Sequence, residues 1–128
     1  MDKTTLVEKD IEDGKRLIEA LDNASFNVHS ALWFYLSDSD QWRFIIASPL
    51  VDKKSPKEAY SLIQGILAKI FPQIKISLKD VSVVSPKLDL IQLLRIAINT
   101  GPGISGIRFT RNTINNVFIE DAYIYRIQ

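Results

Sequence analysis

The sequence predicts one α+β domain over residues 1–128, a largely antiparallel sheet packed with three helices. Three observations lead there. Residues 31–47 read as an aromatic β-hairpin, two strand-length apolar runs around the polar turn Ser37-Asp38-Ser39-Asp40. Three segments carry helical periodicity or helix-start signals, and residues 104–127 read as a β meander.

The first helix is expected over about residues 6–22. Thr5 followed by Glu8 fits a capping box, and Val7, Ile11, Ile18 and Leu21 form an apolar stripe widened by Leu17. Lys9–Asp13, Glu12–Arg16 and Lys15–Glu19 are favourable four-residue pairs. Gly14 lies on the apolar side, where it costs about 1 kcal/mol against alanine. Close packing against the sheet would offset that cost.

The hairpin follows. Counting outward from its turn pairs Leu36 with Gln41, Tyr35 with Trp42 and Trp33 with Phe44. One face then holds Ala31, Trp33, Tyr35, Trp42, Phe44 and Ile46; the other holds Leu32, Phe34, Leu36, Ile45 and Ala47. Shifting the register by one residue leaves both faces apolar, because both parities are filled. An antiparallel sheet with a solvated side alternates apolar with polar, and this hairpin does not. Both faces need cover, from this chain or from another molecule.

Residues 49–54 are read as a connector. Ser55-Pro56-Lys57-Glu58 then supplies a capping serine, proline at the first helical position and an acid three residues after the cap. This second helix is expected to reach Phe71 before Pro72, with Ala59, Leu62, Ile63, Ile66, Leu67 and Ile70 facing the core. Residues 74–78 alternate like a strand, and 81–84 could continue it past a bend. Ser85-Pro86 opens a third helix to about Asn99, whose polar stripe is only Asp89, Gln92, Arg95 and Asn99. Such a helix is buried nearly all round or packs on something outside the domain. After a loop at 100–106, strands are expected at 104–110, 117–119 and 122–127, with Asn115-Asn116 as a tight turn and a break at Glu120-Asp121. Tyr123, Tyr125 and Ile127 would share one face of the last strand, Ile124 and Arg126 the other.

Several function classes find little support. The 16 basic and 15 acidic residues nearly cancel, so net charge gives no reason to expect a nucleic-acid partner. Arg108, Arg111 and Arg126 could line one sheet face, but the alternation turns Tyr123 and Tyr125 away from Arg126. With no cysteine and His29 as the one histidine, a typical zinc site is not expected, and no cofactor is. Gly101-Pro102-Gly103-Ile104-Ser105-Gly106 has the spacing of a dinucleotide loop, but a helix precedes it and a strand follows, the reverse of what pyrophosphate binding needs. A left-handed glycine at a helix end is the simpler reading. Asp52-Lys53-Lys54 with Asp38 or Asp40 could suggest a nuclease, yet a whole strand separates these acids. No run is long and apolar enough to cross a membrane, and Met1-Asp2-Lys3-Thr4-Thr5 has no apolar signal core, so a cytoplasmic location is the expectation.

What remains is excess apolar surface. The sequence therefore points to a non-catalytic protein-interaction module, a homo-oligomer or a subunit of a small complex. Its candidate interface residues are Trp33, Tyr35, Trp42 and Phe44 of the hairpin, with Leu90 and Leu93 of the third helix. The alternative is an enzyme, for example a nucleic-acid-processing one, with a site assembled from dispersed Asp, Glu, Lys and Arg residues.

Overall fold

The computed structural model describes residues 4–128; Met1, Asp2 and Lys3, which entered the reading of the N-terminus, lie outside the described residues. Helix α1 spans Glu8–Asn23 and is followed by strands β1 (Ser30–Leu36) and β2 (Gln41–Ala47). Next come a single turn α2 (Leu50–Lys53), helix α3 (Pro56–Ile70), a 3-10 turn at Leu78–Asp80 and strand β3 (Val81–Val84). Helix α4 (Asp89–Ala97) leads to β4 (Ile107–Ile114) and β5 (Val117–Ile127).

The five strands form one sheet in the order β3-β2-β1-β5-β4, antiparallel except for the β2–β3 pair. The hairpin register is the one counted from the turn: Leu36 faces Gln41, Tyr35 faces Trp42, and Trp33 faces Phe44. Asn115 and Asn116 both take positive φ, 48° and 66°, and make the two-residue turn between β4 and β5.

Several local expectations change. Helix α1 starts two residues later than read, because the Asp10 carboxylate accepts the Val7 N–H at 2.9 Å, and Thr5 plays no capping part there. The connector at 49–54 contains the extra helical turn α2. Residues 74–77 form no ladder: Ile74 is buried, but Lys75 N–H donates to the Asp13 carboxylate at 3.1 Å, so this segment is tied to α1 rather than to a strand. Helix α4 begins at Asp89, since Ser85 Oγ accepts the Lys87 N–H at 3.0 Å and closes a turn first. Beyond it, Gly101 is left-handed at φ 72° but lies past the C-cap Ile98. Strand β5 runs unbroken through Glu120-Asp121.

One further difference matters more. Ala31 pairs with Arg126 but Leu32 pairs with Ile124, so β5 carries one extra residue, a β-bulge. The face assignment flips across it. Tyr123 and Tyr125 pack on the α1 side, and Arg126 follows them there while Ile127 joins the opposite core. Arg126 is buried and grips Asp22 of α1 through two bonds of 3.0 and 2.9 Å, and it also donates to the carbonyls of Gly103 and Val28.

The core divides at the sheet. On one face α1 and α3 cover Trp33, Phe44, Ile46 and Tyr125. On the other, Ile91 and Leu94 of α4 pack with Leu32, Ile45, Ile124 and Ile127. Gly14 explains how α1 comes so close: a Cβ there would lie 2.9 Å from Cζ of Tyr125 and 3.0 Å from Cε1 of Phe44. Tyr125 uses this proximity to donate its hydroxyl to the Ile11 carbonyl at 2.6 Å.

Gly14→Ala should therefore destabilise the fold by about 1–3 kcal/mol through overpacking, against its better helix propensity. Gly65 in α3 has open space around its Cα, and Gly65→Ala should stabilise by up to about 1 kcal/mol. Urea unfolding of the two variants should give opposite signs. A stabilised Gly14→Ala protein would show that the α1–sheet spacing is wrong.

Candidate interaction surface

The strand register shows where α4 sits. Val84, Ala47, Ser30 and Ile127 form one row across β3, β2, β1 and β5. The chain leaves the sheet at Val84 and returns at Thr100, whose N–H donates to the Ile127 carbonyl at 2.9 Å. Helix α4 spans the row between these points. Its nine residues give a length of about 13.5 Å, and four strands measure about 14 Å centre to centre. The match is close.

A helix is only about 10–12 Å wide with its side chains, whereas the seven residues of β2 extend about 20 Å. So α4 alone covers only part of this face, and towards the hairpin-turn end Ile114 of β4 and Ile119 of β5 are buried in the same apolar cluster. Leu32 and Ile45, one row further, are buried; Phe34 and Phe109, one row beyond that, are only partly so. Where β1 and β5 part beyond the Phe34–Ala122 pair, Phe34, Leu36, Phe118 and Glu120 line a shallow hollow of about 350 Å³ with the turn residues Ser37, Asp38 and Ser39. Phe118 is 60% exposed. The opposite face has two helices of 16 and 15 residues, with an apolar hollow of about 420 Å³ lined by Phe26, Leu50, Leu62 and Ile66.

On α4 itself, Ile91 and Leu94 point into the core while Ile96 is 61% exposed. One flank is polar: Gln92 donates to the Pro86 carbonyl and Arg95 Nε donates to the Gln128 carbonyl at 2.9 Å. Leu90 and Leu93, half-buried, lie on the other flank.

The six candidates read from the sequence separate accordingly. Trp33, Trp42 and Phe44 are enclosed by the chain itself, with Trp33 only 1% exposed. Trp33 Nε1 donates to the Asp10 carbonyl, and its ring meets Phe44 at 5.0 Å. Tyr35 is half-buried at the hairpin turn and donates its hydroxyl to Asp40. That bond, then desolvation and the charges of Asp40 and Glu120, push the Tyr35 phenol up to about 12. Leu90 and Leu93 reach the surface. Ile96, Phe118, Phe34 and Leu36 were not singled out, though Val117-Phe118 directly after a tight turn signals that one apolar side chain must face outward.

The polar groups are engaged in the fold. Arg108 stacks over Trp42 at 5.5 Å and makes a two-pronged ion pair with Asp121, which also accepts from Thr110. Burial would raise Asp121, but these bonds outweigh it and hold the carboxyl below its ordinary value. Asp13, which is buried, takes Lys9 and the Lys75 N–H, and the Asp52 carboxylate accepts the Ser85 hydroxyl. Among the described residues no group of three or more potential ligands could hold a metal ion, and no buried side-chain nitrogen or oxygen lacks a hydrogen-bond partner. No helix among them is long and apolar enough to cross a membrane. Comparison with protein-family models, curated proteins and solved structures finds no match.

Two outcomes follow. Trp33→Ala should cost about 3–5 kcal/mol, a loss of fold read by circular dichroism and denaturant melting; a well-folded variant would remove Trp33 from the core. His29 bonds Ser30 Oγ at 2.8 Å, and burial, then the Arg95 charge, lowers it from its ordinary 6.5. Because the unfolded chain takes up that proton more readily, the associated stability is fully present above pH 6.5 and is lost as pH falls from there through the folded value. Melting temperature against pH should show this fall, and His29→Gln should flatten it between pH 6.5 and 5; an unchanged slope would clear His29 of the effect.

Proposed function

We propose that this protein is a non-catalytic interaction module that works by assembly, with the α4 face as its contact. The observation that carries this reading is exposed apolar surface: Ile96 of α4 and Phe118 of β5 are 61% and 60% exposed, and Phe118 lines a hollow with Phe34 and Leu36. Exposed apolar groups scattered singly need no explanation, but Phe118 shares one hollow with Phe34 and Leu36. Apolar patches with a charged rim are what protein interfaces are built from. The engaged state of the buried polar groups supports the same reading, since each already has a structural partner.

Light scattering and sedimentation velocity across a dilution series test it. The wild-type chain should run above monomer mass and dissociate on dilution. Ile96→Asp and Phe118→Asp, both at exposed positions, should leave the melting temperature nearly unchanged and give monomers. A wild-type protein that is monomeric at every concentration, with both variants indistinguishable from it, would defeat the proposal.

A further inference from the structure

We propose that the apolar hollow between α3 and the end of α1 binds a small amphiphilic anion, an acyl chain whose carboxylate pairs with Lys69. The hollow exists because α3 carries a wider apolar stripe than its neighbours cover: Leu62 is 50% exposed and Ile66 is only partly buried. One flank of the helix, from Ser61 to Lys69, makes the first wall over about 12 Å of helix rise. The second wall comes from the end of α1. There Phe26 N–H donates to the Leu21 carbonyl at 2.9 Å and Ser25 N–H to the Asp22 carbonyl at 3.0 Å, which closes the helix in a Schellman turn. Ser25 holds the left-handed position of that turn, φ 60°, and the reversal brings Phe26 into the lining with Leu50 of α2.

Size, shape and charge point to this ligand. At about 420 Å³ the hollow falls in the range of small-molecule clefts, and apolar side chains with a few polar groups are the usual make-up of such a site. Gly65 sits midway along the α3 wall, and a Cβ there would meet nothing within 4 Å. The middle of the wall is therefore an open notch, in which a chain lying along the helix can settle. Lys69 is the one charged residue in the lining, and among the described residues it has no ion-pair partner in its own chain. It lies one helical turn beyond Gly65, so its ammonium marks that end for an anion and leaves Leu62, Phe26 and Leu50 for the hydrocarbon. The hollow belongs to the α1 side of the sheet, away from α4.

Titration calorimetry of the full chain with decanoate, kept below its micelle concentration, tests the site. Decanoate should bind at a single site, and decyltrimethylammonium about tenfold more weakly, since an exposed ion pair is exchanged for a like-charge contact. Lys69 is exposed, so Lys69→Glu should fold normally and reverse that preference. Gly65→Leu fills the notch from a position with open space and should abolish decanoate binding with the melting temperature unchanged or raised. Ile96→Asp and Phe118→Asp should take up decanoate as the wild type does, so this site and the α4 contact fail separately. A wild type that binds no decanoate overturns the proposal, as does binding that survives Gly65→Leu or a head-group preference that Lys69→Glu leaves unchanged. A Gly65→Leu protein that loses mass in sedimentation, with no decanoate bound by the wild type, would give the hollow to a second copy instead.

Discussion

Trp33 and Phe44 face each other across β1 and β2 with their rings 5.0 Å apart, and apart from Ser30, Gln41 and Arg43 the other residues of those strands are aliphatic or aromatic. Filling both parities of a hairpin commits the protein to layers on both sides of it, since either bare face would expose several large side chains. The α1 side does this with α1 and α3. Two helices of ordinary length bury Trp33, Phe44, Ile46 and Tyr125, with Gly14 letting α1 approach within hydrogen-bond reach of the Tyr125 hydroxyl. Desolvation raises that phenol further, and it stays a donor to the Ile11 carbonyl.

Polar side chains then locate the helices on this layered core. Arg126 clamps the end of α1 through Asp22, Asp13 ties the segment after α3 back to α1, and Tyr60 of α3 accepts the Val83 N–H of the edge strand. The β5 bulge makes the first of these possible. Without the extra residue Arg126 would point into the α4 side, where Ile124 and Ile127 now pack, and an unpaired charge there would be costly.

Local chemistry was legible in the sequence. The hairpin register, Ser55 accepting the Glu58 N–H, the Asn115-Asn116 turn and the tight packing at Gly14 all depend on residues near one another in the chain or on a single periodicity. Features set by distant partners were not. Residues 74–77 alternate because Ile74 and Ile76 pack inward, yet no strand lies within pairing distance. The bulge reverses the face of Arg126, which strict alternation misplaces. Apolar surplus was visible, but its position was not: the hairpin aromatics look like the obvious contact, yet Trp33, Trp42 and Phe44 are buried and Ile96 and Phe118 are exposed.

The outer strand β4 bears on how such a protein stays in solution. It is an eight-residue edge with a free row of backbone donors and acceptors, which ordinarily invites strand-by-strand stacking. At Arg111 the backbone turns left-handed, φ 48°, and drops out of the β4–β5 ladder between Thr110 and Asn112. A neighbouring strand would find the template interrupted midway, so the run along which open-ended fibril growth would have to extend is broken at Arg111.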